Sequence, residues 1–211
     1  MKTLFTSVLL VYSIFTQTAH AQQLLTIMRS STATPSNYDD LMARLEAKGL
    51  DKLDWTFHAI GAGQAGGLFS IGLFPNQAAL DDRMEKVRPV FQEAGVNAPA
   101  PQVFEVYRTF TGRIPAAKPA NGIVVFFDAH LTPAQYDQIV DGLAKAGLPV
   151  SPDGHLFHAA IRTPDGIKVV DVWESPEKFQ AFGNTLIPII QSIDPTPIQP
   201  VIYHLYNYII P

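Results

Sequence analysis

Thr132-Pro133-Ala134-Gln135-Tyr136-Asp137 restates Thr34-Pro35-Ser36-Asn37-Tyr38-Asp39 from earlier in the chain. The match extends outward. Leu45-Glu46-Ala47-Lys48-Gly49-Leu50 returns as Leu143-Ala144-Lys145-Ala146-Gly147-Leu148, Phe57-His58-Ala59 as Phe157-His158-Ala159, and 101–107 as 200–206, always at an offset of 98 to 100. A long fixed period marks one structural unit written twice. Two copies of about ninety residues therefore occupy 22–112 and 122–211, joined by a linker at 113–121 that holds Pro115 and Pro119.

Each copy reads as strand, helix, strand, strand, helix, strand. In the second copy Ile123 to Phe127 is β-rich and apolar. Thr132 suits an N-cap, Pro133 a first helical turn and Gln135 the reciprocal position of a capping box. Tyr136, Ile139, Val140 and Leu143 then form one apolar stripe at helical spacing, and Gly147 and Pro149 end it. Leu156 to Ile161 and Ile167 to Trp173 read as a hairpin about Pro164-Asp165-Gly166. Ser175-Pro176 opens a second helix with Phe179, Phe182, Leu186 and Ile190 inward, and Val201 to Ile209 is the last strand. The first copy repeats the stripes with Tyr38, Leu41, Met42 and Leu45, then Leu80, Met84, Val87 and Phe91. A βαββαβ unit of this size is a ferredoxin-like α+β sandwich. The strands are apolar on both faces, so each sheet needs cover on the side away from its helices. The other copy's sheet provides that cover, and the expected architecture is a pseudo-dimeric α/β barrel within one chain.

Composition narrows function by exclusion. The chain has 211 residues, 15 Lys+Arg against 19 Asp+Glu, and no cysteine. Thiol nucleophiles, disulfides and cysteine-built metal centres are ruled out. A net charge of −4 gives no cationic excess for phosphates, so nucleic acid is not an expected partner. Residues 1–21 read as a cleaved export signal: Lys2, an apolar run from Leu4 to Phe15, and Ala19-His20-Ala21 before the cut. The mature protein is expected to be a secreted or periplasmic monomeric pseudo-dimer with no membrane contact, its expected partner a small apolar or aromatic ligand.

Phe157-His158-Ala159, Thr163-Pro164-Asp165-Gly166 and Asp171-Val172-Trp173-Glu174-Ser175 before a Phe-rich helix resemble the dimeric α/β-barrel superfamily, which includes antibiotic-biosynthesis-monooxygenase-like proteins. The resemblance covers both halves, the second more clearly. It implies the barrel fold. It leaves activity open among cofactor-free oxygenases, isomerases, haem binders and proteins without chemistry.

The candidate residues sit mostly in the second copy. Four of the six histidines, His130, His155, His158 and His204, fall there. His158 is the candidate general base. His58 holds the same place in the first copy, where it is either a ligand-binding group or an architectural histidine bonded to a carbonyl. Asp171 stands mid-strand, with Ile71 as its expected counterpart, and could orient His158 across the hairpin. A two-residue turn would set the pair opposite each other. A three-residue Pro-Asp-Gly loop, the form this turn favours, would set Asp171 beside Ala159 on the other face. His155 and His158, three apart, point to opposite faces unless a bulge intervenes. Trp173, Tyr206 and His204 would line an aromatic pocket for a planar apolar ligand. No metal and no cofactor is expected. A metal site from His130, His158 and His204 would require the fold to gather them. Gly61-Ala62-Gly63-Gln64-Ala65-Gly66 matches a dinucleotide string but runs into a strand, so it reads as a hairpin. Two functions remain: an oxygenase or isomerase of small aromatic compounds, or a non-catalytic binder of apolar molecules or a protein. Haem binding is a third.

Overall fold

A computed structural model describes residues 22–51, 55–96, 100–115 and 117–210. The leader expected at 1–21, with its cut after Ala21, lies outside the described residues. The first half supplies β1 (Leu24–Ser30), α1 (Pro35–Ala47), β2 (Phe57–Ala62), β3 (Leu68–Phe74), α2 (Gln77–Glu93) and β4 (Gln102–Thr111). The second supplies β5 (Ile123–Leu131), α3 (Pro133–Lys145), β6 (His155–Thr163), β7 (Gly166–Trp173), α4 (Pro176–Ile193) and β8 (Pro200–Ile209).

The helix starts follow the local chemistry. Thr34 and Thr132 each accept a bond from a backbone N–H of the first turn, and Asn37 and Gln135 reach back to the cap: reciprocal capping boxes at equivalent places. Tyr136, Ile139 and Leu143 are buried as the stripe requires. The α4 stripe packs less deeply. Phe179 and Phe182 lie against Trp173, and Leu186 and Ile190 against the outer face of β6 and β7, with no residue of the helix fully buried.

All eight strand pairings are antiparallel and join in the closed order β1-β3-β2-β8-β5-β7-β6-β4. The first half contributes β4-β1-β3-β2 and the second β8-β5-β7-β6, the same order twice. The seams are β2 on β8 and β4 on β6. Closing the ring removes free strand edges.

Alternation along the strands then creates two environments. Leu25, Ile27, Phe57, Phe69, Ile71, Phe157, Val170, Val172 and Leu205 face one shared interior that contains no helical residue. Phe57 and Phe157, equivalent in the repeat, stack there with centroids 4.1 Å apart. The opposite face of the sheet lies under the helices, and that is where the polar candidates go. The glycine string is a hairpin: Gly63 and Gly67 pair backbone to backbone, with Gly66 and Gly67 at positive φ.

Two sequence expectations about register are corrected. The hairpin of β6 and β7 turns through Pro164 and Asp165 alone. Thr163 pairs with Gly166, and the Thr163 hydroxyl donates to the Gly166 carbonyl at 2.8 Å. Gly166 takes the positive φ (+124°) that ends so short a turn. Asp171 therefore pairs with His158, not Ala159. The counterpart of Asp171 is Gly72, which pairs with His58; Ile71 faces the interior.

Candidate active site

His158 stands on β6 beneath α3. Its Nδ1 lies 2.7 Å from Asp171 Oδ1, and its Nε2 lies 2.7 Å from the Tyr136 hydroxyl. Ionised Asp171 can only accept, so Nδ1 carries the imidazole proton and Nε2 accepts from the phenol. The result is a line Asp171–His158–Tyr136. From the neighbouring half, β4 fixes its back: the Thr109 hydroxyl donates to the His158 carbonyl at 2.8 Å, and the Phe110 ring lies 5.3 Å from the imidazole.

His155 joins the same carboxylate. A bulge between His155 and Phe157 swings it to the helix side, so its Nε2 reaches Asp171 Oδ1 at 3.3 Å. Bulge-free alternation would have sent it the other way. His155 stacks on Trp173 at 4.2 Å, and Phe182 packs on both rings. His155, His158 and Asp171 form a near-dry group, with side chains 3%, 12% and 10% exposed. Burial pushes the Asp171 carboxyl up, but the two imidazoles outweigh it and hold the group well below the usual carboxylate range. Burial raises the Tyr136 phenol well above its ordinary value, against the pull of Arg108, so Tyr136 keeps its proton.

The equivalent place in the first half holds different chemistry. His58 is buried, and its Nε2 lies 3.3 Å from the Ser70 hydroxyl, not at a carbonyl. Trp55 replaces His155 and stacks on His58 at 4.1 Å, the two rings nearly parallel. The Arg83 guanidinium lies 4.0 Å from the Trp55 ring centre. A Cβ added at Gly72 would stand 3.2 Å from Trp55 Nε1, so the indole fills the room that an acid would need. Burial, with Arg83 nearby, lowers the His58 pKa to about 3. The two sites thus share a histidine and differ in everything that could charge it.

The remaining predicted residues are dispersed. Trp173 is fully buried and walls the site through His155. Tyr206 leaves the second half: its hydroxyl donates to Asp39 of α1 at 2.5 Å and its ring meets Tyr38 edge-on. Tyr107 mirrors it, donating to Asp137 of α3 at 2.6 Å. His204 is exposed on β8, paired with Ala62 and Ile123. His130 is also exposed, and the grouping of His130, His158 and His204 is not formed. Tyr206 and His204 therefore do not share a pocket with His158. A surface depression of about 490 Å3 is lined by Tyr107, Arg108 and Thr109 of β4, which flank Tyr136 and His158, and another of about 370 Å3 lies beside the linker. Tyr136 is the residue that sequence reasoning missed, and His155 is the one that alternation placed on the opposite face. Tyr136 looked like one more member of an apolar stripe. Its recurrence as Tyr38 was a signal of position, not of the hydroxyl's partner.

No family model and no curated protein matches this chain. Solved structures do match, by shape. A candidate monooxygenase of Lactobacillus acidophilus superposes with a TM-score of 0.63 at 13% identity, covering 89% of this chain and 95% of its own. A candidate monooxygenase of Fusobacterium nucleatum gives 0.66 at 9% identity, with 90% and 94% covered. A Listeria monocytogenes ferredoxin-fold protein related to antibiotic biosynthesis monooxygenases gives 0.52 at 12%, with 88% and 95% covered. At such identities the likeness is one of fold. In fold, this chain is similar to the antibiotic-biosynthesis-monooxygenase-like proteins of the dimeric α/β-barrel superfamily.

Proposed function

We propose that this chain is a small-molecule enzyme that works at one of its two equivalent sites, the one built on His158, and removes a proton from an aromatic or enolic substrate. The observation that carries this reading is the hydrogen-bonded line Asp171–His158–Tyr136. Tyr136 passes its proton to His158 Nε2 as it takes one from the substrate, and Asp171 stabilises the imidazolium that forms. The base that touches substrate is then the Tyr136 oxygen, with His158 acting behind it, because His158 Nε2 is already occupied. The fate of the substrate anion decides the reaction class. Addition of dioxygen to the anion gives an oxygenase; return of the proton to another atom gives an isomerase. Neither needs a resident cofactor. Solved structures of similar fold are named as candidate monooxygenases, which supports the oxygenase branch.

The same occupancy of both His158 nitrogens favours a second reading, a binder of apolar molecules without turnover. One experiment separates the two. Dioxygen uptake and product formation are measured across a panel of phenols and enolic aromatics, alongside thermal shifts. The enzyme reading expects turnover that falls about 100-fold or more in Tyr136→Phe and His158→Gln, within the usual range for a lost acid–base group. Equal turnover in wild type and both variants would sink it. Stabilisation by a ligand with no product would favour the binder.

The chain is further read as two tandem ferredoxin-like units, 22–112 and 122–211, closing as an intramolecular pseudo-dimer. The leader at 1–21 is read as an export signal cut after Ala21. N-terminal sequencing of protein recovered outside the cytoplasm should begin at Gln22.

A further inference from the structure

We propose that His155, His158 and Asp171 bind one divalent transition-metal ion of the zinc class. The proposal stands on the geometry of the three side chains and does not depend on the proton relay. Their ligand atoms lie within 4.8 Å of one another, with His155 Nε2 at 3.3 Å and His158 Nδ1 at 2.7 Å from one carboxylate oxygen. Tetrahedral zinc, with bonds of about 2.0–2.2 Å, sets its ligands roughly 3.3–3.5 Å apart. The His155–Asp171 spacing already fits, His158 must withdraw from Asp171 by less than about 1 Å, and the two imidazole nitrogens, within 4.8 Å of each other, must close by up to about 1.5 Å.

Charge gives the second argument. Asp171 is buried and ionised, and its ion-pair partners among the described residues are these two imidazoles. A buried charge is costly unless it is paired, and the fold does not need this one, since the first half has Gly72 there. Both His155 and Asp171 are absent from the first half, where Trp55 and Gly72 stand. A dication would neutralise the carboxylate and use both imidazoles at once.

The surroundings suit an ion on one side more than on the other. Metal on His158 Nδ1 moves the ring proton to Nε2, where the Tyr136 oxygen can accept it, the arrangement that orients metal-bound histidines. His155 Nδ1 is buried without a partner among the described residues, so the same shift there is uncompensated. His155 is therefore the weaker arm, and affinity should fall below that of closed structural zinc sites. No thiolate is present, so imidazole and carboxylate direct the site to zinc, cobalt, nickel or copper(II). The ion takes the atoms that join His158 to Asp171, so metal occupancy and the proton relay exclude each other.

The test uses chelator-treated full-length protein, titrated with Co2+ and then displaced by Zn2+. One equivalent is expected to bind, with the intense visible absorption of tetrahedral cobalt, which zinc abolishes. His155→Gln and Asp171→Asn should each weaken binding by about 100-fold or more, and Tyr136→Phe by about 10-fold. His130→Ala, at an exposed histidine, should leave it unchanged. Circular dichroism checks that each variant folds, and His155→Gln serves alone if Asp171→Asn does not. Absence of a stoichiometric site, or binding that survives His155→Gln or disappears with His130→Ala, overturns the proposal. Turnover by the metal-free protein is measured separately, so a failed metal site and a failed relay give different results.

Discussion

His58 and His158 are one residue in two settings, and they should respond differently to acid. His58 lies between Trp55 and Tyr38, and among the described residues no carboxylate pairs with it to hold a charge. Burial and then Arg83 lower its pKa to about 3 from 6.5. The unfolded chain takes up that proton below pH 6.5 and the folded chain does not. Stability should therefore fall as pH drops from about 6.5 towards 3, at up to ~1.4 kcal/mol per pH unit. Asp171 adds to the loss from the ordinary carboxylate range downward, because there the unfolded carboxyl takes up a proton while the folded one, held lower, does not. Urea denaturation across this window checks the sign. His58→Phe keeps the ring and removes the proton site, so its stability should be flatter between pH 6.5 and 4. A slope equal to wild type would show that another group is responsible.

At the scale of the hairpin, two irregularities place the site. The turn through Pro164 and Asp165 sets Asp171 opposite His158, and the bulge at the far end of β6 adds His155. Both depend on glycine. Gly166 holds φ +124°, and a Cβ there would stand 2.6 Å from the Leu131 carbonyl oxygen. A Cβ at Gly112 would collide with the carbonyl of His155, on the bulge itself. Gly166→Ala should cost about 1–3 kcal/mol in chemical denaturation, as strained backbone positions do. Gly112→Ala should also displace His155, read as a change in the imidazole NMR signals of His155 that leaves those of His130 unmoved. If neither variant changes stability, the turn and the bulge have more room than this geometry gives them.

The molecule as a whole is knitted across its repeats. β8 pairs with both β2 and β5, and the interior cluster draws on both halves. Tyr206 of β8 reaches α1, and Tyr107 of β4 reaches α3, so each half places a tyrosine on the other's first helix. No described helix is long and apolar enough to cross a membrane. The two halves should therefore unfold together. Trp55 reports the first and Trp173 the second, the only two tryptophans in the chain. Fluorescence of Trp55→Phe and Trp173→Phe variants should give coincident denaturation curves. Removing residues 200–211 should abolish the native Trp55 signal although Trp55 lies far away in sequence. Two separated transitions would make the halves independent domains.

The element order and the helix boundaries were determined by the sequence alone, because their causes are local. Capping at Thr34 and Thr132 needs only the next three residues, and the stripes that include Tyr38 and Tyr136 follow from 3.6-residue periodicity. The repeat carried the same reading twice, which made the ferredoxin-like unit legible. Tertiary structure decided the site. Whether Pro164-Asp165-Gly166 turns in two residues or three is settled by pairing along the whole of β6 and β7, and a one-residue slip would have sent Asp171 to the other face. The bulge beside His155 depends on Gly112, more than forty residues away. The hydroxyl of Tyr136 meets His158 only because α3 packs over β6, and Tyr206 meets Asp39 only because the ring closes. Contacts between residues distant in sequence answer to packing and closure, which no local pattern encodes.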